Sequence, residues 1–203
     1  MDEKTLFTIG YPRYTIKDFL STLKENGINA LVDVRAFPHI SHFEVYRRNN
    51  IKKELEKESI VYKFFGKLLG ARPDNPEYYT NGKVDYEKIK KASEFQDICE
   101  NIKLGLDKGN TICLMCAQND PIICHRSILI TDYFRYTYPE TSSTHLMPGT
   151  CESQQELDCR LLGLYMKKHR QTSLFSTEDN PGKTMLEKAY IWQGQQIAYE
   201  ADC

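Results

Sequence analysis

Residues 111–129 read T-I-C-L-M-C-A-Q-N-D-P-I-I-C-H-R-S-I-L. The apolar opening predicts a strand that is covered on both faces, as the strands of parallel sheets are. Asp120-Pro121 predicts a rigid turn, and a helix is predicted over Arg126–Tyr136. Because ligands of open α/β sheets bind beyond the carboxyl ends of the strands, we expect a functional site in this segment.

The rest of the chain alternates between predicted strands and predicted helices. Strand patterns cover Leu6–Gly10, Asn29–Arg35, Ile60–Phe64 and Thr144–Leu146. Helical patterns separate them, and the first begins with the capping-box-like segment Thr15–Asp18. This order of elements predicts an α/β fold with a three-layer, mostly parallel, Rossmann-like sheet, whose first β-α-β unit has a right-handed crossover.

Pro148-Gly149 marks a predicted boundary. We predict an α/β domain over residues 1–149 and a helical C-terminal extension over residues 150–203 that packs on it. The helices of the extension are predicted from the amphipathic pattern of Glu152–His169 and from the apolar residues of Met185–Tyr199.

Composition limits the classes of function. The formal net charge of -1 argues against a large nonspecific nucleic-acid footprint, although a local basic patch stays open. No apolar run approaches the roughly 20 residues that span a bilayer, and the first residues lack a signal-peptide pattern. We therefore expect a cytoplasmic protein with no membrane partner, in which most of the seven cysteines are reduced. The sequence does not predict an oligomeric state.

Three chemical types meet at the predicted helix start, in Cys124, His125 and Arg126. The free N–H groups of a helix N-terminus favour an anion and lower the pKa of a thiol. Arg126 suits phosphate or carboxylate, and His125 suits general acid or base catalysis near neutral pH. Cys116 is explained equally well as a second reactive thiol or as a small core residue, whereas Cys113 is interpreted as core.

Asp33 and Arg35 share one face of the second predicted strand, near its carboxyl end. We predict that Arg35 contacts an anionic ligand. Asp33 either orients an arginine or takes part in the chemistry, and the sequence leaves both roles open. The following loop, His39–Arg48, has histidine, arginine and aromatic residues that suit an anion or a nucleobase, and His39 is kept as a candidate from it. A solvated loop explains the same residues.

The sequence argues against zinc, and no cofactor is expected. Cys113 and Cys116 lie three residues apart on a predicted strand, so their thiols point to opposite faces, whereas paired zinc ligands are normally brought together by a turn. A three-ligand site of Cys116 and Cys124 with either His125 or His145 stays open as a minor alternative.

Several motifs together resemble the domain-of-unknown-function 488 family. They are T-I-G-Y at residues 8–11, L-V-D-V-R-A-F-P at 31–38, V-Y-K-F-F-G-K-L-L-G at 61–70 and L-M-C-A-Q-N-D-P-I-I-C-H-R-S at 114–127. The resemblance implies site residues at Asp33, Arg35, Cys116, Cys124, His125 and Arg126, and we add Tyr11 and Gln118 as candidate ligand contacts. The chain departs from the family pattern at Gln118, where the family commonly has Glu, and at Ala71, where it has a second Gly.

The function expected from these residues is that of an uncharacterised enzyme. Cys116, Cys124 and His125 would be catalytic, and the substrate would be a small anionic or nucleotide-like molecule held at the carboxyl edge of the sheet. Two alternatives stay open: a non-enzymatic module that binds nucleotides or nucleic acid in the same place, and a small metalloprotein.

Overall fold

A mixed α/β architecture is seen in the computed structural model, which describes residues 4–169 and 182–201. The described residues form eight strands: β1 (Lys4–Gly10), β2 (Ala30–Asp33), β3 (Val61–Phe64), β4 (Tyr79–Thr80), β5 (Lys83–Val84), β6 (Ile112–Cys116), β7 (Thr141–Met147) and β8 (Thr150–Ser153). β4 and β5 form a small antiparallel hairpin, and the other six strands form the central sheet.

The central sheet has the strand order β3-β2-β6-β1-β7-β8. All neighbours in it are parallel except β7 and β8, so the prediction of a mostly parallel sheet is confirmed. β6 lies between β1 and β2, with Gly10 opposite Cys116 and Asp33 opposite Met115. The carboxyl ends of these three strands therefore meet at one edge of the sheet.

Helices cover both faces of the sheet. In chain order they are α1 (Ile16–Glu25), α2 (Arg48–Lys57), α3 (Gly66–Leu69), α4 (Tyr86–Lys90), α5 (Ser93–Asp107), a π-helix (Arg126–Thr131), α6 (Asp132–Thr137), α7 (Gln154–His169) and α8 (Met185–Ile197). Local sequence explains several starts: the Thr15 side chain accepts a hydrogen bond from the Asp18 backbone N–H, and Asp85 does the same for Glu87.

Two apolar layers result, one on each face of the sheet. α1 and α2 cover the first layer, where Phe19 and Leu23 of α1 pack with Leu31 and Met115. The remaining helices cover the second layer, which contains Val32, Leu114 and Cys116 from the strands and Ile102, Ile128, Leu161 and Ala189 from the helices. The fold is thus the three-layer, Rossmann-like arrangement predicted from the sequence.

The C-terminal helices belong to the second layer. Leu157, Leu161 and Tyr190 are buried in it, and Gln193 Nε2 donates a hydrogen bond to the Ile122 carbonyl at 2.8 Å. The turn at Gly149 joins β7 to β8, so the predicted boundary falls within a β-hairpin and the sheet continues to Ser153. Among the described residues no helix is both long and apolar enough to cross a membrane.

Candidate functional site

The site is built where β6 ends. Cys116 is the last residue of β6 and points into the second apolar layer, whereas Cys113 points into the first. The loop after β6 turns at Asp120, whose carboxylate accepts a hydrogen bond from the Ile122 N–H at 3.1 Å. This turn returns the chain to the sheet edge and brings Cys124 back beside Cys116.

His125 faces both thiols. Its Nδ1 lies 3.7 Å from Cys116 Sγ and 3.9 Å from Cys124 Sγ, while its Nε2 lies 3.1 Å from the Val34 carbonyl oxygen. A carbonyl only accepts hydrogen bonds, so Nε2 carries a hydrogen and Nδ1 is the nitrogen positioned to exchange a proton with the thiols. All three side chains are buried, Cys124 with only 1% of its surface exposed.

The two thiols titrate as a pair. Burial alone would raise the pKa of Cys124, but the hydrogen bond from the Cys116 thiol, the positive charge of Arg126 and His125 together hold it well below its usual value. The same hydrogen bond, with burial, raises the pKa of Cys116. The pair therefore favours one thiolate at Cys124 and one protonated thiol at Cys116.

Arg126 is fully buried at the start of the π-helix. It donates hydrogen bonds from Nε to Thr8 Oγ1 at 3.2 Å, from Nη1 to the Gln118 carbonyl and from Nη2 to the Asn119 carbonyl at 3.0 Å. These partners are all neutral, and Arg126 makes no salt bridge in the described part of the chain. The guanidinium thus fixes the loop and leaves its charge uncompensated beside Cys124.

Asp33 and Arg35 lie on the opposite face of the sheet from Cys116. Arg35 donates from Nε and Nη2 to the two carboxylate oxygens of Asp33 at 2.9 and 2.6 Å, and from Nη1 to the Tyr46 carbonyl at 2.8 Å. The Tyr11 ring lies 5.1 Å from the Arg35 guanidinium carbon and stacks on Tyr46. These predicted site residues therefore form a second, buried cluster that is closed by its own partners.

Comparison with known proteins identifies the family to which the chain belongs. The family described as "Domain of unknown function DUF488" matches residues 15–133, more than half of the chain, including the whole Cys116–Arg126 loop. The chain belongs to the DUF488 family. The resemblance drawn from the sequence motifs is confirmed. Neither the curated proteins nor the solved structures gave a match.

The side chains of two further candidate ligand contacts in this DUF488 protein lie outside the thiol cluster. His39 is exposed on the loop after β2, and the Gln118 side chain is also exposed. Gln118 contributes its backbone instead, because its carbonyl lies so close to Gly10 that a Cβ atom there would be 1.8 Å from the oxygen. The structure does not bring either side chain into the thiol cluster.

Of the two histidines considered as partners of the thiols, His125 is the one that faces them. His145 Nδ1 lies 2.8 Å from Thr8 Oγ1. Thr8 Oγ1 also accepts a hydrogen bond from Arg126 Nε, so His145 is tied to the arginine through this hydroxyl. Burial lowers the pKa of His145 to about 3, so this ring is neutral.

Sequence reasoning missed Tyr86, the first residue of α4. Its hydroxyl is buried without a hydrogen-bond partner, and burial followed by the charges of Cys124 and Cys116 raises its pKa. Tyr86 also lines a cavity of about 510 Å³ between the β4–β5 hairpin, α4 and α8. Nothing in the spacing connects Tyr86 with residues 116–125, so only the fold could reveal that it both lines the cavity and lies within electrostatic reach of the thiols.

Proposed function

We propose that this DUF488 protein is an enzyme, a hydrolase or a group transferase, with the Cys116–Cys124–His125 cluster as its reactive centre. The orientation of His125 carries the proposal. Its Nε2 is fixed on the Val34 carbonyl, so Nδ1 is held as a proton acceptor 3.7 and 3.9 Å from the two thiols. A thiol beside a positioned proton acceptor is the general arrangement of an activated cysteine nucleophile.

In this proposal Cys124 is the nucleophile and His125 is the proton carrier. Cys124 gives its proton to His125 Nδ1, and the Cys116 S–H stabilises the thiolate. The Cys124 sulfur then forms a bond to an electrophilic atom of the substrate while the bond to the leaving group breaks, and His125 returns the proton to that leaving group. Water in a hydrolase, or a second substrate in a transferase, afterwards displaces the Cys124 sulfur.

The charge of Arg126 supports an anionic or nucleotide-like substrate. A buried guanidinium without a carboxylate partner is costly unless a negative group balances it. The Cys124 thiolate supplies one such group, and an anionic substrate would be attracted by the same positive charge. We propose that this field acts on the substrate at short range, since Nε, Nη1 and Nη2 of Arg126 are already engaged with Thr8, Gln118 and Asn119.

The cavity behind Tyr86 is the proposed approach to the thiols. Cys124 is closed to solvent, and Tyr86 is the residue that both lines the cavity and lies within electrostatic reach of Cys116 and Cys124.

The alternative of a non-enzymatic binding module is less well supported. Such a module needs free arginines that converge on its ligand, whereas Arg35 is paired with Asp33 and Arg126 is engaged with backbone carbonyls. By contrast, His125 Nδ1 lies between the two thiols, where it can exchange a proton with them.

Thiol alkylation tests the proposal. Chelator-washed full-length protein is treated with iodoacetamide between pH 5 and 9, and the rate at each cysteine is read by peptide mass spectrometry. Cys99, Cys113 and Cys124 are all buried, so differences among them report ionisation more than exposure. Burial raises the pKa of Cys99 and Cys113, and we expect Cys124 to be labelled faster and down to lower pH.

The His125→Gln variant is the specific comparison. The glutamine amide can still donate to the Val34 carbonyl, but it presents no ring nitrogen to the thiols. We expect labelling of Cys124 near pH 6 to slow by roughly tenfold or more, because each unit of rise in a thiol pKa removes about nine-tenths of its thiolate. Equal rates at Cys99, Cys113 and Cys124, or no effect of the variant on a folded protein, would refute the nucleophile.

A further inference from the structure

The same cluster has the dimensions of a metal site. The donor atoms of Cys116, Cys124 and His125 all lie within 4.8 Å of one another, and all three residues are buried. Zinc bound tetrahedrally by sulfur and nitrogen has S···N edges of about 3.6 Å and S···S edges of about 3.8 Å, as follows from its usual bond lengths. The observed S···N distances of 3.7 and 3.9 Å match those edges.

The surroundings of His125 match those of a metal ligand. A histidine that binds a metal through one nitrogen commonly donates its other N–H to a carbonyl or a carboxylate, which fixes the ring and its tautomer. His125 donates from Nε2 to the Val34 carbonyl at 3.1 Å and turns Nδ1 toward the two sulfurs. The ring needs no rearrangement to bind a cation placed between these atoms.

An oxygen-based group, the Tyr86 hydroxyl, lies within electrostatic reach of the two thiols. The Tyr86 hydroxyl is buried and has no hydrogen-bond partner in the described residues. Tyrosine hydroxyls normally find such a partner when they are buried. A water molecule in the fourth position of a metal ion held by two sulfurs and a nitrogen would supply that partner.

We propose that Cys116 Sγ, Cys124 Sγ and His125 Nδ1 bind a Zn²⁺ ion, with a water against Tyr86 in the fourth position. Two thiolates neutralise Zn²⁺, so the filled site has no net charge to be repelled by Arg126. The sequence argument against zinc paired Cys116 with Cys113. The fold replaces Cys113 with Cys124, which reaches Cys116 through the loop turn at Asp120.

Metal binding goes beyond the proposed enzyme and does not require it. Zn²⁺ would occupy both thiols and the proton acceptor, so the zinc-loaded protein would be the unreactive form of the centre. Zinc would then act as an inhibitor of the thiol chemistry, in competition with the protons of Cys116 and Cys124.

Metal titration of the full-length chain tests the site. Reduced, chelator-washed protein is titrated with Zn²⁺ against a chromophoric chelator and, separately, with Co²⁺. We expect one tight site per chain, and with Co²⁺ the visible bands of a tetrahedral ion together with a near-ultraviolet sulfur-to-metal charge-transfer band. Cys116→Ser and Cys124→Ser should each weaken Zn²⁺ binding by more than the roughly 10–100-fold that changes around a ligand cost.

Three variants serve as controls. Cys99→Ser removes a buried thiol outside the cluster, and Cys151→Ser and Cys159→Ser remove exposed ones. All three should bind Zn²⁺ as the wild type does, and circular dichroism of each metal-free variant shows whether it folds. If a serine variant does not fold, the alanine variant at the same position, Cys116→Ala or Cys124→Ala, is used in its place.

The outcomes separate the two proposals. No tight binding, or binding that survives loss of Cys116 and Cys124, overturns the metal site whatever the alkylation experiment shows. Tight binding that depends on both cysteines supports it, even if Cys124 of the zinc-free protein reacts no faster than Cys99. Protection of Cys116 and Cys124 from iodoacetamide by one equivalent of Zn²⁺ is a further expected result.

Discussion

At the scale of single residues, the site depends on one close backbone contact. Gly10 ends β1 opposite Cys116, and the loop that carries Gln118 lies directly on it. Arg126 holds that loop by donating hydrogen bonds to the carbonyls of Gln118 and Asn119. A side chain at position 10 and the loop in its present place exclude each other, so Gly10 helps to set the distance between Cys116 and Cys124.

Gly10→Ala should therefore destabilise the protein. The added Cβ would lie 1.8 Å from the Gln118 carbonyl oxygen, a backbone atom that cannot rotate away. We expect the free energy of unfolding to fall by about 2–4 kcal/mol, in the range of overpacking and lost buried hydrogen bonds. Urea unfolding followed by circular dichroism measures the change.

Gly163→Ala is the matched control. Gly163 lies within α7, and a Cβ there meets no atom within 4 Å. Alanine is the better helix former by up to about 1 kcal/mol, so the same substitution should be neutral or stabilising here. If both variants lose stability equally, steric contact with the loop is not the cause.

At the scale of elements, the sequence predicted five of the six strands of the central sheet, all but β8, and did not predict which strands are neighbours. The apolar runs of β1, β2 and β6 identify buried parallel strands without reference to other residues. Their order depends on pairing between segments far apart in the chain, such as Ala30 with Ile112 and Phe7 with Cys113, and no residue of β6 marks it as the strand that enters between β1 and β2. Local patterns carry no such long-range register.

The missing register explains why residues predicted at one edge of the sheet form two separate clusters, one on each face. Asp33 and Arg35 were predicted to share one face of their strand, and they pair there. Their strand and that of Cys116 end at the same edge of the sheet, but Asp33 pairs in register with Met115, so alternation puts it on the opposite face from Cys116. Tyr86 escaped notice because α4 comes within electrostatic reach of the thiols only through long-range packing, which no local pattern encodes.

The β2 element yields a prediction of its own. Asp33→Asn should remove the charge that pairs with the buried Arg35 and lower the free energy of unfolding by about 3–5 kcal/mol. The Asp33 carboxylate also accepts from the Tyr62 hydroxyl at 2.7 Å, which adds to the loss. Chemical denaturation measures the effect, while the alkylation rate of Cys124 in the folded variant should stay close to that of the wild type.

An exposed pair provides the comparison for Asp33→Asn. Glu44 lies 3.7 Å from Arg47 with most of its side chain in solvent, so Glu44→Gln should change stability by less than about 0.5 kcal/mol. Should Asp33→Asn behave like Glu44→Gln, Arg35 is not held by Asp33 and becomes available again as a ligand contact.

At the scale of the whole molecule, the C-terminal helices are tied to the sheet domain by polar as well as apolar contacts. Arg160 of α7 donates from Nη1 and Nη2 to the two carboxylate oxygens of Asp120 at 2.9 and 2.8 Å. Gln193 of α8 donates from Nε2 to the Ile122 carbonyl at 2.8 Å. The extension therefore completes the layer that covers Cys124.

We predict that the extension and the α/β domain unfold together. Trp192 of α8 is the only tryptophan in the chain, so its fluorescence reports the extension alone, whereas far-ultraviolet circular dichroism reports all helices. Because Ala189 and Tyr190 share the core of Leu114 and Ile128, separating α8 would expose that core. In urea the two signals should give the same midpoint, as for a single cooperative transition. A fluorescence midpoint at clearly lower urea would contradict this prediction. Residues 150–203 would then unfold independently, and their unfolding would expose the thiol cluster while the sheet stays folded.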